Sequence, residues 1–306
     1  MLADDCSISE DEAAAIRAEA DRLLRDSGAV GVFPTPVDEI MRAAKIQVVP
    51  IALDEDYLAQ LRRKAAEAGR ALLGALSKVW GVFDPKARVA FIDPDTPKEK
   101  LPFLKLHEGG HAVLPWQSIF GIFEDCRKTL DPEVKQQFER EANVFASEVL
   151  FQLDAFSAEA ADHAFSINVP LRLAKHYGAS AYASVRRYVS HSDRICAVLV
   201  LNPIELSEPI GFTCCMRRVI ASPSFEREFS QLRWPPAITP DHALGHMVPL
   251  HNRMTGARRI KLTDDRGERR AFVAEAFKTP HQVFILVHAV TAAPARRLIM
   301  PTRMAS

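Results

Sequence analysis

The chain has 306 residues, 48% of them hydrophobic and 25% charged, an ordinary globular composition with length for about two domains. Lys plus Arg and Asp plus Glu both number 39, so no global field draws the protein to a nucleic acid, and such contact needs a local patch. The five cysteines (Cys6, Cys126, Cys196, Cys214, Cys215) form no CxxC pair, which argues against a secreted disulfide scaffold and for a reducing cytoplasm. The acidic start MLADDCSISEDE is unlike a signal peptide. No apolar run approaches the roughly eighteen residues of a spanning helix. A soluble, cytoplasmic protein with no membrane partner is expected.

Ser9 and Glu12 have capping-box spacing and open a helix with Ile16, Ala20, Leu23 and Leu24 on one face, ending at Gly28. Thr35-Pro36 opens a second helix, striped by Val37, Ile40, Met41 and Ala44. Ile46 to Ile51 reads as a strand and Tyr57 to Leu73 as a third helix. Trp80 to Phe83 and Val89 to Ile92 read as two strands around Asp84-Pro85-Lys86. Thr96-Pro97 is a cap followed by proline, and its helix runs to about Leu114. Asp131-Pro132 starts another, through Phe138 and Phe145 to about Leu150. Val169 to Tyr177, Gly178, then Ser180 to Val189 reads as helix, turn, helix. From Ile195 the chain is β-rich, with strands at Ile195–Leu201, Ile210–Val219, Arg270–Phe277 and Gln282–Val290.

The segment LPFLKLHEGGHAVLPW carries HExxH. On a helix His107 and His111 project to one side a turn apart, where both rings reach one ion. Glu108 then flanks that ion and can take a proton from water. Zinc suits imidazole and supplies hydrolytic chemistry near neutral pH. Gly109-Gly110 weakens the helix by about 1–2 kcal/mol, a cost that suggests a close approach there. A catalytic zinc usually has three protein ligands. In FEREANVFASEVL, Glu141 lies among Ala142, Phe145 and Val149 and is expected on the packed side, whereas Glu139 and Arg140 look solvent-facing. An unpaired buried carboxylate is costly, which makes Glu141 the expected third ligand.

HEGGH followed by EANVFA resembles the ImmA/IrrE family of metallo-endopeptidases. FPTPVDEIMRAAKIQVV is similar to that family's opening helix and strand, and VWGVFDPKARVAFID to its hairpin. The resemblance covers roughly residues 30–190, with Gly109 a departure where the family usually has a larger residue. It implies zinc ligation by His107, His111 and Glu141, Glu108 as general base, and cleavage of a helix-turn-helix transcriptional repressor to induce stress or phage-defence genes. It also implies gated activity and a C-terminal domain similar to a GAF sensor, where a small effector would bind. The expected architecture is α+β: a zincin-like, mostly helical peptidase domain with a small sheet (1–192, with a helix-turn-helix-like end at about 166–190), then a β-rich α/β domain (193–306).

Several other residues carry expectations. Cys126 lies between the ligand helices, where its thiolate would serve as an inhibitory fourth metal ligand; the alternative is a half-buried free cysteine. Arg172, Lys175, Arg186 and Arg187 offer contact to DNA, non-specific or single-stranded. Tyr177 and Tyr182 are weaker candidates for stabilising a transition state. His242 and His246 repeat the ligand spacing without a glutamate between them, so loop or interface histidines are expected there. The rival functions are a non-proteolytic, zinc-containing transcription regulator and a toxin-like partner of a neighbouring antitoxin.

Overall fold

The computed structural model describes residues 8–50, 81–84, 87–117, 132–208 and 211–290. The expected helix Tyr57–Leu73 and Cys126 lie outside the described residues. The chain divides into two compact units, Leu2–His191 and Ser192–Ser306.

The first unit is helical. Helix α1 (Glu10–Asp26) begins with the anticipated capping box, in which Ser9 and Glu12 satisfy each other's backbone N–H groups. Helix α2 (Val37–Ala43) buries Val37, Ile40 and Met41. Strands β1 (Gln47–Pro50), β2 (Gly81–Asp84) and β3 (Val89–Ile92) form a small mixed sheet in the order β1-β3-β2. β3 is its centre, parallel to β1 through Val48↔Ala90 and antiparallel to β2 through Val82↔Phe91. Helix α3 (Leu101–Val113) packs against this sheet, α2 and helix α4 (Pro132–Leu150).

The expected cap at Thr96 is not used. Residues 98–100 form a turn, and α3 begins at Leu101 without a side-chain cap, with Pro102 in its first turn. Helices α5 (Ala155–Ala161), α6 (Asn168–Tyr177) and α7 (Ala181–Ser190) complete the unit. Gly178 (φ 69°) takes the left-handed conformation that ends α6, and Ser180 then caps α7 by accepting from the Ala183 N–H.

The second unit is a seven-stranded sheet in the order β5-β6-β4-β10-β9-β8, with β7 paired to β6. Its strands are β4 (Cys196–Leu201), β5 (Glu205–Ser207), β6 (Gly211–Ala221), β7 (Ala237–Ile238), β8 (Met254–Thr263), β9 (Arg269–Lys278) and β10 (Val283–Ala289). All pairings are antiparallel, so this half is β-rich without alternating βαβ units, and the chain as a whole is α+β. A core of Leu199, Ile285, Ala274 and Phe272 includes Phe225 and Phe229, which are stacked 4.7 Å apart; Phe225 belongs to the short helix α8 (Pro223–Glu228). Strand β8 was not anticipated. Its residues MTGARRIKLT carry Arg258, Arg259 and Lys261 exposed on the sheet's edge, where charge discourages further pairing.

Candidate metal centre

The glycine pair sets how closely two helices meet. A Cβ on Gly110 would lie 3.2 Å from the Cα of Ala142 on α4 and 3.2 Å from a ring carbon of Phe145. A Cβ on Gly109 would meet the thioether of Met41 at 3.0 Å. The close approach at Gly110 is therefore the α3–α4 contact, while Gly109 lies against Met41 of α2.

That contact brings three ligand-type side chains together. His107 and His111 stand one turn apart, their rings 5.0 Å between centroids and nearly perpendicular at 88°. Their Nε2 atoms lie 3.3 Å and 3.8 Å from carboxylate oxygens of Glu139 on α4. One ligand atom from each of the three lies within 4.8 Å of the others. A tetrahedral ion with bonds near 2.0–2.1 Å holds its ligand atoms roughly 3.3 Å apart, so this donor set fits a single metal ion. The Glu139 side chain is 52% exposed, which leaves an open side for water and a substrate.

Both rings are held from behind. His107 Nδ1 lies 3.1 Å from Asn143 Oδ1, and His111 Nδ1 lies 2.7 Å from Gln117 Oε1. Amide oxygens only accept, so Nδ1–H donates to each and the Nε2 lone pairs face Glu139. Glu108 is buried on the flank of α3. Burial, opposed by His107 and assisted by the Glu139 charge, pushes its carboxyl up to about 7.

Glu141, the expected third ligand, is not in the cluster. Its Oε2 accepts from Trp116 Nε1 at 2.7 Å and Gln117 Nε2 at 2.6 Å, and its Oε1 from Gln137 Nε2 at 3.3 Å. Two residues along a helix rotate about 200°, so Glu139 and Glu141 face different surroundings. Burial does not single out a ligand here, because Glu141 is satisfied by N–H groups. A signal for Glu139 was available: it shares a face with Asn143 at i+4, echoing the spacing of His107 and His111, and a substrate-accessible ligand has to border solvent.

The four basic residues expected to contact DNA are not one patch. Arg187 is 1% exposed, with Nη1 2.5 Å from Glu148 and Nη2 2.6 Å from the Leu153 carbonyl; this buried ion pair removes it from any nucleic-acid surface. Arg172 and Lys175 are exposed on α6, and Arg186 is half-buried on α7. Tyr177 is core, with ring contacts to Phe33, Phe151 and Phe156. His242 and His246 share no α-helix: the segment forms a short 3₁₀ turn, Gly245–Met247, and His242 Nδ1 accepts from the Leu244 N–H.

Residues 75–188 match the IrrE N-terminal-like domain of the Peptidase_M78 family. No curated protein matches the chain by sequence. A solved structure described as a Mycobacterium tuberculosis transcriptional regulator is similar at 12% identity, with a TM-score of 0.48, over 90% of this chain and 87% of that one. No helix among the described residues is long and apolar enough to cross a membrane.

Proposed function

Given that the chain carries the IrrE N-terminal-like peptidase domain of the ImmA/IrrE family, we propose that it is a zinc-dependent endopeptidase whose substrate is a helix-turn-helix transcriptional repressor. The observation that carries this reading is the convergence of His107, His111 and Glu139 with Glu108 beside them. His107 and His111 through Nε2, and Glu139 through a carboxylate oxygen, would hold the ion. Zinc so bound supplies Lewis-acid activation of water and of the scissile carbonyl near neutral pH.

The chain's own residues account for the rest. Glu108, fixed on the rigid α3 next to His107, accepts the proton of the attacking water and returns it to the leaving amine. Asn143 and Gln117 hold the imidazoles so that their lone pairs stay aimed at one point. The half-exposed Glu139 marks the side from which a peptide enters. Cleaving the repressor would release stress or phage-defence genes, and such a protease needs a gate. In support of a gate in the second unit, a cleft of about 280 Å³ there is lined by Trp234, His246, Arg233, Arg259 and Lys261, which suits an anionic small effector. Cys126 as an inhibitory ligand remains a further proposal for the same purpose.

Two measurements test the reading. Elemental analysis of the purified protein is expected to give about one zinc per chain, with marked loss in Glu139→Ala. Co-expression with candidate helix-turn-helix repressors is expected to give a cleaved repressor, and Glu108→Gln to keep zinc while losing roughly 10²–10⁴-fold in rate. A folded, zinc-free protein after zinc is added back sinks the metal centre. Full repressor loss with Glu108→Gln favours a non-proteolytic regulator instead.

A further inference from the structure

The polar cluster behind His111 has a direction, and its direction is set by Glu141. A glutamine amide can face either way unless its surroundings choose. At Gln117 they do. Its Nε2 lies 2.6 Å from a Glu141 carboxylate oxygen and 3.2 Å from the Phe138 carbonyl. A carboxylate and a carbonyl both accept, so the NH₂ end must face them. The Oε1 end is then turned toward His111 Nδ1 at 2.7 Å. An acceptor at that position requires the proton on Nδ1, which in the neutral imidazole leaves Nε2 unprotonated and aimed at the ligand point.

Gln117 and Glu141 are 5% and 4% exposed, so water does not compete freely for these bonds. Glu141 is itself fixed by Trp116 Nε1 at 2.7 Å and by Gln137 Nε2, which also donates to Glu12 of the α1 capping box at 3.0 Å. His107 has a different support, Asn143, from the same helix as Glu139.

We propose that Glu141 and Gln117 are positioning residues for the metal centre: the carboxylate orients the amide, the amide fixes the tautomer of His111, and the fixed tautomer presents Nε2 to the ion. The inference rests on the metal-centre reading above but concerns residues that touch neither metal nor substrate. It also gives a reason for burying a glutamate two positions from the ligand, which simple packing would not favour.

The test uses the full chain and has three parts. In metal-free wild type, at a pH high enough that the ring is neutral, long-range ¹⁵N–¹H NMR is expected to show His111 in the Nδ1–H form; the Nε2–H form there overturns the proposal whatever the variants do. Zinc affinity, by competition with a chromophoric chelator, is expected to fall about 10–100-fold in Gln117→Met, the usual range for losing such a support, with the tautomer of His107 unchanged. Gln117→Glu alone sets two carboxylates against each other and is expected to weaken zinc similarly. Wild-type affinity in folded Gln117→Met or Gln117→Glu refutes the positioning role. Glu139→Ala is the reference: if it keeps zinc, the metal-centre reading itself fails, separately from this one.

Discussion

The two units bury their polar groups differently. The first buries three glutamates on two adjacent helices, Glu108, Glu141 and Glu148, and each has its own electrostatic solution. Glu148 has the Arg187 guanidinium, Glu141 has three N–H donors, and Glu108 lies in the apolar flank that pushes it up to about 7. The second unit is organised by a sheet core of Leu199, Ile285, Phe272 and their neighbours, with Glu275 its buried glutamate among the described residues. A helix pair crowded with buried carboxylates is expensive to fold, and its presence marks where chemistry or precise bracing is required. The apolar sheet carries no such signature.

The sharpest way to break the first unit is therefore through a charge. Arg187→Met leaves Glu148 buried without its main partner and is expected to cost about 3–5 kcal/mol, read as a drop in Tm. Burial alone would raise the Glu148 carboxyl, but hydrogen bonds from His191 and Arg187 and the Arg187 charge outweigh it and hold it at about 2. Because the folded value lies below the ordinary 4.5, the stabilisation is complete above about pH 4.5 and is lost as pH falls toward 2. Wild type should lose on the order of 3 kcal/mol across that window. Arg187→Met should show a shallower acid limb; an equally steep one would remove Glu148 as its source.

The sheet of the second unit should break by volume instead. Ile285 is fully buried in its centre, and Ile285→Ala is expected to cost about 2–5 kcal/mol, with no dependence on pH between 2 and 4.5. A pH-dependent loss would erase the contrast between the units.

The glycine pair gives a finer test within the first unit. Gly110→Ala presses on helix backbone at Ala142, which cannot yield locally, and is expected to cost about 1–3 kcal/mol and to spread the His107, His111 and Glu139 donor atoms. Gly109→Ala meets no backbone, but the thioether end of the flexible Met41 side chain and, at ordinary contact distance, Ile46. Its gain in helix propensity, about 1 kcal/mol, should leave stability within about 1 kcal/mol of wild type. Equal costs at the two positions would mean that the α3–α4 contact does not set the geometry.

Much of the first unit was legible because its signals are local. The capping box at Ser9, HExxH, and the start of α4 at Pro132 each depend on residues within one or two turns. What failed depended on partners distant in sequence. Glu141 reads as buried, yet what satisfies it comes from Trp116 and Gln117. Arg187 reads as a basic surface residue beside Arg186, and only the approach of Glu148 shows it to be core. Strand β8 escaped notice because an edge strand can spend its residues on charge and needs no clean alternation. The double glycine was the one long-range signal written locally, since it announces a neighbour without naming it.

Charge separates the units as well, and yields the smallest expected effect on stability. Residues 1–191 carry 29 acidic and 23 basic side chains, and residues 192–306 carry 10 and 16, so the neutrality of the whole chain conceals an acidic first unit and a basic second one. The surplus of cations therefore lies in the second unit rather than on α6 and α7, whose Arg187 is internal. Arg258, Arg259 and Lys261 are exposed along β8, where single substitutions to alanine should change stability by no more than about 0.5 kcal/mol. Replacing all three is nevertheless expected to lower the salt needed for elution from heparin, because phosphate- or sulfate-like contacts scale with local cations. Replacing Arg172 and Lys175 together should change elution less. If the α6 pair matters more, the polyanion surface lies on the peptidase unit, and the charge division between the units has no bearing on what the protein binds.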